Sequence, residues 1–144
     1  MKKCLIAILL GLMLPCLLPV KSQARLRLTD QQVGALVGLK LYPEWIQQQT
    51  DQQTLVYGVV KPEDRVPAQV ADDSYLIADG EADSPILYYQ TTANNREVVV
   101  ESAPHRHGHL KSSKLKIKQL VRQFYRTKSQ QRRVNTIVSA LRTE

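Results

Sequence analysis

The sequence predicts an α+β domain: an N-terminal helix, a four-stranded antiparallel meander, and two C-terminal helices packed on one face of the sheet. Three observations predict it. Apolar residues recur at helical spacing soon after Thr29. Short apolar runs separated by turn residues fill the middle of the chain. Helical spacing then returns beyond a stretch that holds every histidine.

The first helix has a defined start. In Leu28-Thr29-Asp30-Gln31-Gln32-Val33, Thr29 can cap the amide three residues on and Gln32 can reach back. Val33, Leu36, Val37 and Leu41 then form an apolar stripe, which places the helix from about Asp30 to Tyr42. Gly34 and Gly38 each weaken a helix by about 1 kcal/mol relative to alanine. Their spacing predicts close packing against a neighbouring element. Pro43 suits the first position of a short second helix over Glu44-Trp45-Ile46.

Four strands are expected next, over residues 54–60, 74–78, 85–90 and 97–101. The first two flank a loop holding Pro62 and Pro67. Asp79-Gly80 and Asn94-Asn95 supply the turns between the others. Consecutive short strands joined by turns argue antiparallel pairing. Beyond the histidines, Ile117, Leu120, Val121 and Phe124 give one helical face. Thr127-Lys128-Ser129-Gln130 repeats the capping pattern, and Val134, Ile137, Val138 and Leu141 give the last helix its face.

Residues 1–24 read as a signal peptide. Met1-Lys2-Lys3 is followed by a sixteen-residue apolar run, Leu5 to Val20, and by small residues at Ser22 and Ala24. The run contains Pro15 and Pro19 and falls short of the roughly 20 residues needed to span a bilayer. Cleavage is expected after Ala24, leaving residues 25–144 as one α+β domain, secreted and without a stable transmembrane span. A lipid anchor at Cys16 would want a small residue before it, and Pro15 stands there. Cys4 and Cys16 both leave with the leader, so the mature chain offers no disulfide, thiolate nucleophile or cysteine-bound zinc.

Charge is segregated. Residues 25–103 carry six Lys/Arg against twelve Asp/Glu, and residues 104–144 carry eleven against one. The halves are therefore −6 and +10, and the mature total of +4 is below the full chain's +7 because Lys2, Lys3 and Lys21 are lost. A dipolar chain can neutralise itself, so its net charge alone names no partner.

Leu28-Thr29-Asp30-Gln31-Gln32, Gly80-Glu81-Ala82-Asp83-Ser84 and Phe124-Tyr125-Arg126-Thr127-Lys128-Ser129-Gln130-Gln131 carry a resemblance. In this order they resemble an uncharacterised family of small secreted or lipid-anchored domains from lactobacilli, over most of the mature chain. Phe124 stands where such members carry the first of two tyrosines, and the histidine cluster is not a family feature. The resemblance implies export and fold and brings no activity with it.

No nucleophile elbow, phosphate-cradling loop or metalloprotease helix occurs. Asp72-Asp73 and Asp79 to Asp83 offer carboxylates for acid–base chemistry, but such residues are more often solvated in turns. The acidic Asp79–Asp83 turn also lacks an EF-hand's ligand spacing. His105, His107 and His109 alternate; in an extended segment their rings would point one way and suit copper, nickel or zinc. Arg106 stands between them and Lys111 and Lys114 are close, so no metal or other cofactor is assigned. Pro104 to Lys114 is expected instead to be an exposed linker. Beyond it, Lys116, Lys118, Arg122, Arg132 and Arg133 form the candidate surface for an anionic polymer, held through phosphate contacts with little sequence readout.

These readings give a secreted, non-enzymatic domain associated with the cell envelope. Its expected partner is an anionic envelope polymer or, alternatively, another exported protein. A carboxylate-based hydrolase is the remaining alternative. Export excludes intracellular nucleic acid.

Overall fold

The computed structural model describes residues 26–144, so the leader and its cleavage point lie outside the described residues. Helix α1 spans Asp30–Leu41 and α2 spans Pro43–Gln52. The strands are β1 Leu55–Val59, β2 Ser74–Ala78, β3 Ile86–Thr91, β4 Glu97–Ala103 and β5 Lys111–Lys116. Helices α3 Ile117–Phe124 and α4 Lys128–Ala140 follow, and a short β6, Arg142–Thr143, ends the chain.

Both capping boxes form. Thr29 accepts from the Gln32 amide and Gln32 returns to the Thr29 amide, and Thr127 and Gln130 do the same for α4. Each satisfies helix-end donors that would otherwise be orphaned. Pro43 opens α2 directly behind α1.

The sheet order is β5-β4-β3-β2-β1-β6. It is a six-stranded mixed sheet, not the expected four-stranded antiparallel meander. Strands β1 to β5 pair antiparallel in sequence order, and β6 lies parallel to β1. The expected linker is irregular only over residues 104–110, and Lys111–Lys116 pairs along β4 from Glu97 to Ser102. This strand escapes sequence patterning because an edge strand facing water needs no apolar alternation, and lysine there discourages further pairing. Its one apolar residue, Leu115, packs on the main core. From β5 the chain crosses the sheet through α3 and α4 and returns to the far edge as β6. Two residues are too few to carry a pattern.

All four helices of the described residues contribute to one core on one sheet face. Leu36, Ile46, Leu55, Leu76, Leu87, Val100, Leu120, Val134 and Ile137 are buried together there. Helix α1 is central: it is buried from Val33 to Leu39 and touches α2, α3, α4, β2 and β3. The opposite sheet face holds a smaller cluster, Val60, Val70, Ile86, Tyr88 and Ala103, with Val66 and Leu110 packed against it. The loop between β1 and β2 and the chain between β4 and β5 supply those last residues.

Candidate functional site

Helix α3 buries Leu120 and packs Val121 and Phe124 partly against the core, which fixes its outward face. Lys118 and Arg122 stand one turn apart on that face. The helix ends at Tyr125, whose backbone leaves helical geometry, and Arg126 follows in the bend. Lys118, Val121, Arg122 and Arg126 together line an open depression of about 580 Å³. The ion pairs among the described residues are His105–Asp83, Lys114–Glu97 and Arg142–Asp79, so none of these three cations is neutralised by a carboxylate.

The five cations expected from the sequence are all exposed, but they do not share one neighbourhood. Lys118 and Arg122 meet in the depression. Lys116 ends β5 opposite Glu97. Arg132 is exposed on α4. Arg133 turns toward α2, where its Nε donates to Gln47 Oε1 at 3.3 Å. There it lines a second depression, about 600 Å³, with Glu44, Gln47 and Asp51. Arg126 was outside the expected set. It follows Arg122 by four residues, but the helix has ended by then, and the bend at Tyr125 brings it to the depression.

The histidine stretch folds as a turn rather than running extended, so the alternation of its rings does not carry through. The Gly108 amide donates to the His105 carbonyl at 2.8 Å. His105 Nδ1 lies 2.8 Å from Asp83 Oδ1, and Arg106 Nη2 donates to the Ala78 carbonyl at 2.8 Å. Among the described residues no group of three His, Cys, Asp or Glu side chains is placed to hold a metal ion.

The turn after β2 draws partners to its carboxylates. His105 reaches Asp83, and Arg142 pairs with Asp79 and holds its carboxyl below the usual range, with Arg106 adding to the effect. The other carboxylates behave differently. Asp73 and Glu101 are buried at 6% and 9% exposure, and neither meets a cation among the described residues. Burial first, then the charges of Glu101 and Asp72, push the Asp73 carboxyl up. The strand register sets Glu101 opposite Tyr88, on the face away from the helices, and neither Asp73 nor Glu101 lines either depression.

Residues 29–142 match the model of the Lreu_0056_like family, described as a hypothetical protein. The chain belongs to this family. It is also similar to the NMR structure of a hypothetical protein from Lactobacillus reuteri, at 42% identity and a TM-score of 0.75, covering 83% of this chain and 99% of the other. A comparison with curated proteins finds no match. No helix among the described residues of this Lreu_0056_like protein is long and apolar enough to cross a membrane.

One polar cluster in this family member had no sequence signal. Asp30 Oδ2 accepts from Tyr57 Oη at 2.8 Å and from Ser74 Oγ, and Tyr89 Oη donates to the Asp30 carbonyl at 3.1 Å. Burial, followed by Asp30, pushes the Tyr57 phenol up. The cluster pins the start of α1 to β1, β2 and β3. Its members lie far apart in sequence, and each satisfies another's polar group, as buried polar atoms require. That is structural work.

Proposed function

We propose that this Lreu_0056_like domain is exported and is retained at the cell envelope by an anionic polymer, which it holds through α3 and performs no catalysis upon. The observation that carries the reading is the sharing of one depression by Lys118, Arg122 and Arg126, none of them neutralised by a described carboxylate. Cations that serve the fold are spent on partners, as Arg142 is on Asp79 and Arg106 on Ala78. Unspent ones attract phosphate, and arginine does so with two parallel donors. Docking of another exported protein is less well supported. Leu26 and Val59 are the exposed large apolar residues described, and two isolated side chains do not make an interface core.

Cells expressing the full chain, separated into wall, membrane and medium and washed with rising salt, test the reading. Retention should fall with salt. The variant K118Q/R122Q/R126Q should appear in the medium while remaining folded, since exposed substitutions usually cost under about 0.5 kcal/mol. Unchanged retention of the folded variant overturns the reading. The released protein should begin at Arg25; a chain beginning at Met1, or carrying lipid on Cys16, overturns the soluble-export part.

A further inference from the structure

The sheet has two sides to close, and the chain closes one of them. Along β1, β6 pairs with Val56 and Tyr57, and the Glu144 amide adds a bond to the Tyr57 carbonyl at 3.1 Å. At the other side stands β5, which pairs with β4 over all six of its residues and carries no proline, glycine or bulge. The Ile117 amide donates to the Arg96 carbonyl at 2.9 Å, one step beyond the Lys116–Glu97 pair. In an antiparallel ladder, residues whose backbone groups face the partner alternate with residues whose groups face away. Lys111, Ser113 and Leu115 therefore turn theirs to β4. The amides of Ser112, Lys114 and Lys116, and the carbonyls of Ser112 and Lys114, point out of the sheet and meet no backbone partner among the described residues.

The same residues share one sheet face. Val98 and Val100 belong to the main core, so their partners Leu115 and Ser113 stand on the helix side. Ser112, Lys114 and Lys116 stand on the other side, and all three are exposed. Lys114 approaches Glu97 at 3.9 Å, and Lys116 is opposite that same residue. Two ammonium groups thus share one carboxylate, which lies inward of them on β4. We propose that the outer edge of β5 takes, as an added antiparallel strand, an extended acidic segment of another protein whose carboxylates fall at alternate positions.

Charge selects the occupant. Edge strands are kept from pairing by short length, proline, bulges, a covering element or charge. Strand β5 relies on charge alone. Its lysines repel a second copy of the same strand, which carries three lysines and no acid. They do not repel an acidic strand. In an added strand, the residues opposite Lys114 and Lys116 share their face, and opposite charges there stabilise the pairing. Strand addition takes its affinity from main-chain bonds, so it needs none of the apolar core of an ordinary docking surface. A polyphosphate or nucleic acid has no ladder of amides and carbonyls and would leave the outward backbone groups of β5 unmatched.

The experiment is an NMR titration of the purified exported chain with short end-blocked peptides. The probes are alternating glutamate and threonine, the same peptide N-methylated on its glutamate amides, the same peptide N-methylated on its threonine amides, and alternating lysine and threonine. The glutamate peptide should slow hydrogen exchange at the Ser112, Lys114 and Lys116 amides at least about tenfold. Methylation of the glutamate amides, which face β5 in this pairing, should weaken binding at least about tenfold. Methylation of the threonine amides, which face away, should not. K114E/K116E, checked as folded by its own spectrum, should bind the glutamate peptide about tenfold more weakly and prefer the lysine peptide. Equal binding of both methylated peptides overturns the proposal in favour of charge attraction alone. Shifts centred on Lys118, Arg122 and Arg126 overturn it in favour of the α3 depression. Slow exchange of the same β5 amides without peptide, in a parent that sediments as a dimer, gives the edge to a second copy and overturns it. Binding of no peptide overturns it outright and leaves retention through α3 standing.

Discussion

The phenol of Tyr89 occupies the space that a side chain at Gly34 would need. A β-carbon added there would fall on the ring and hydroxyl of Tyr89, which is fully buried and donates to the Asp30 carbonyl at 3.1 Å. Burial, with Asp30 beside it, holds this phenol well above its ordinary range. Gly38 stands in the same relation to Ile46 on α2. The two glycines let the central helix approach the sheet and its neighbour closely.

Gly34→Ala should therefore destabilise the domain. At an exposed helical position the same change would gain about 1 kcal/mol. Here the overpacking term dominates, because Tyr89 has nowhere to move, and the net loss should be about 1–3 kcal/mol. Urea unfolding should show a lower midpoint with an unchanged slope. A midpoint equal to or above that of the parent would show that Tyr89 is not seated against α1.

Much of this was legible in the sequence. Thr29 with Gln32 and Thr127 with Gln130 marked both helix starts, because a capping box is local chemistry over four residues. Strand β2 was readable over Ser74–Ala78 from alternation and flanking turns. Gly34 and Gly38 announced close packing without saying against what. The misses differ in cause. Strand β5 follows β4 directly but, as a polar edge strand, carries no apolar alternation, whereas β6 exists because the chain returns after α4 to lie beside β1. At the candidate site, Lys118 and Arg122 followed from spacing. The inclusion of Arg126 needed the bend at Tyr125, and the diversion of Arg133 needed Gln47, 86 residues away.

The carboxyl of Asp73 should make stability fall as pH rises. Burial, Glu101 and Asp72 raise it above its ordinary 3.8, so the folded chain keeps this proton to higher pH than the unfolded chain does. Stability drops through the window between the two values, and the deficit stays constant above the folded one. Asp79 has the opposite sign: Arg142 lowers it, so its contribution is present above 3.8 and is lost as pH falls through its folded value. The windows do not overlap. Asp73→Asn should raise the urea midpoint at pH 7 and flatten its decline above 3.8. A variant whose decline over that range matches the parent's would place the titrating group elsewhere.

The loop carrying the histidines should be held by Arg106 rather than by a metal. His105 and Asp83 are 60% and 88% exposed, and a pair so exposed contributes little. Arg106 is half-buried and donates to Ala78 on β2. Arg106→Ala should speed hydrogen exchange at the Gly108 amide, while His107→Ala should leave it unchanged. Zinc or copper should leave the melting temperature of the parent where it is. A tight one-to-one metal complex, or faster Gly108 exchange in the His107 variant, would reverse the assignment.

The exposed cations should separate into two groups under salt titration. Retention through phosphate contacts falls linearly on a logarithmic scale, with a slope of roughly 0.7–0.9 per contact. Lys118, Arg122 and Arg126 share the depression on α3, so replacing any one by glutamine should lower the slope by about one such step. Arg133 lies outside the α3 depression; it donates to Gln47 and lines the second depression with Glu44 and Asp51. Arg133→Gln should leave the slope unchanged and alter stability by less than about 0.5 kcal/mol. The measurement is retention on isolated envelope at several salt concentrations for the four single variants. Equal loss of slope in all four would mean that the polymer reads total charge over the C-terminal helices and that the α3 depression holds no special place.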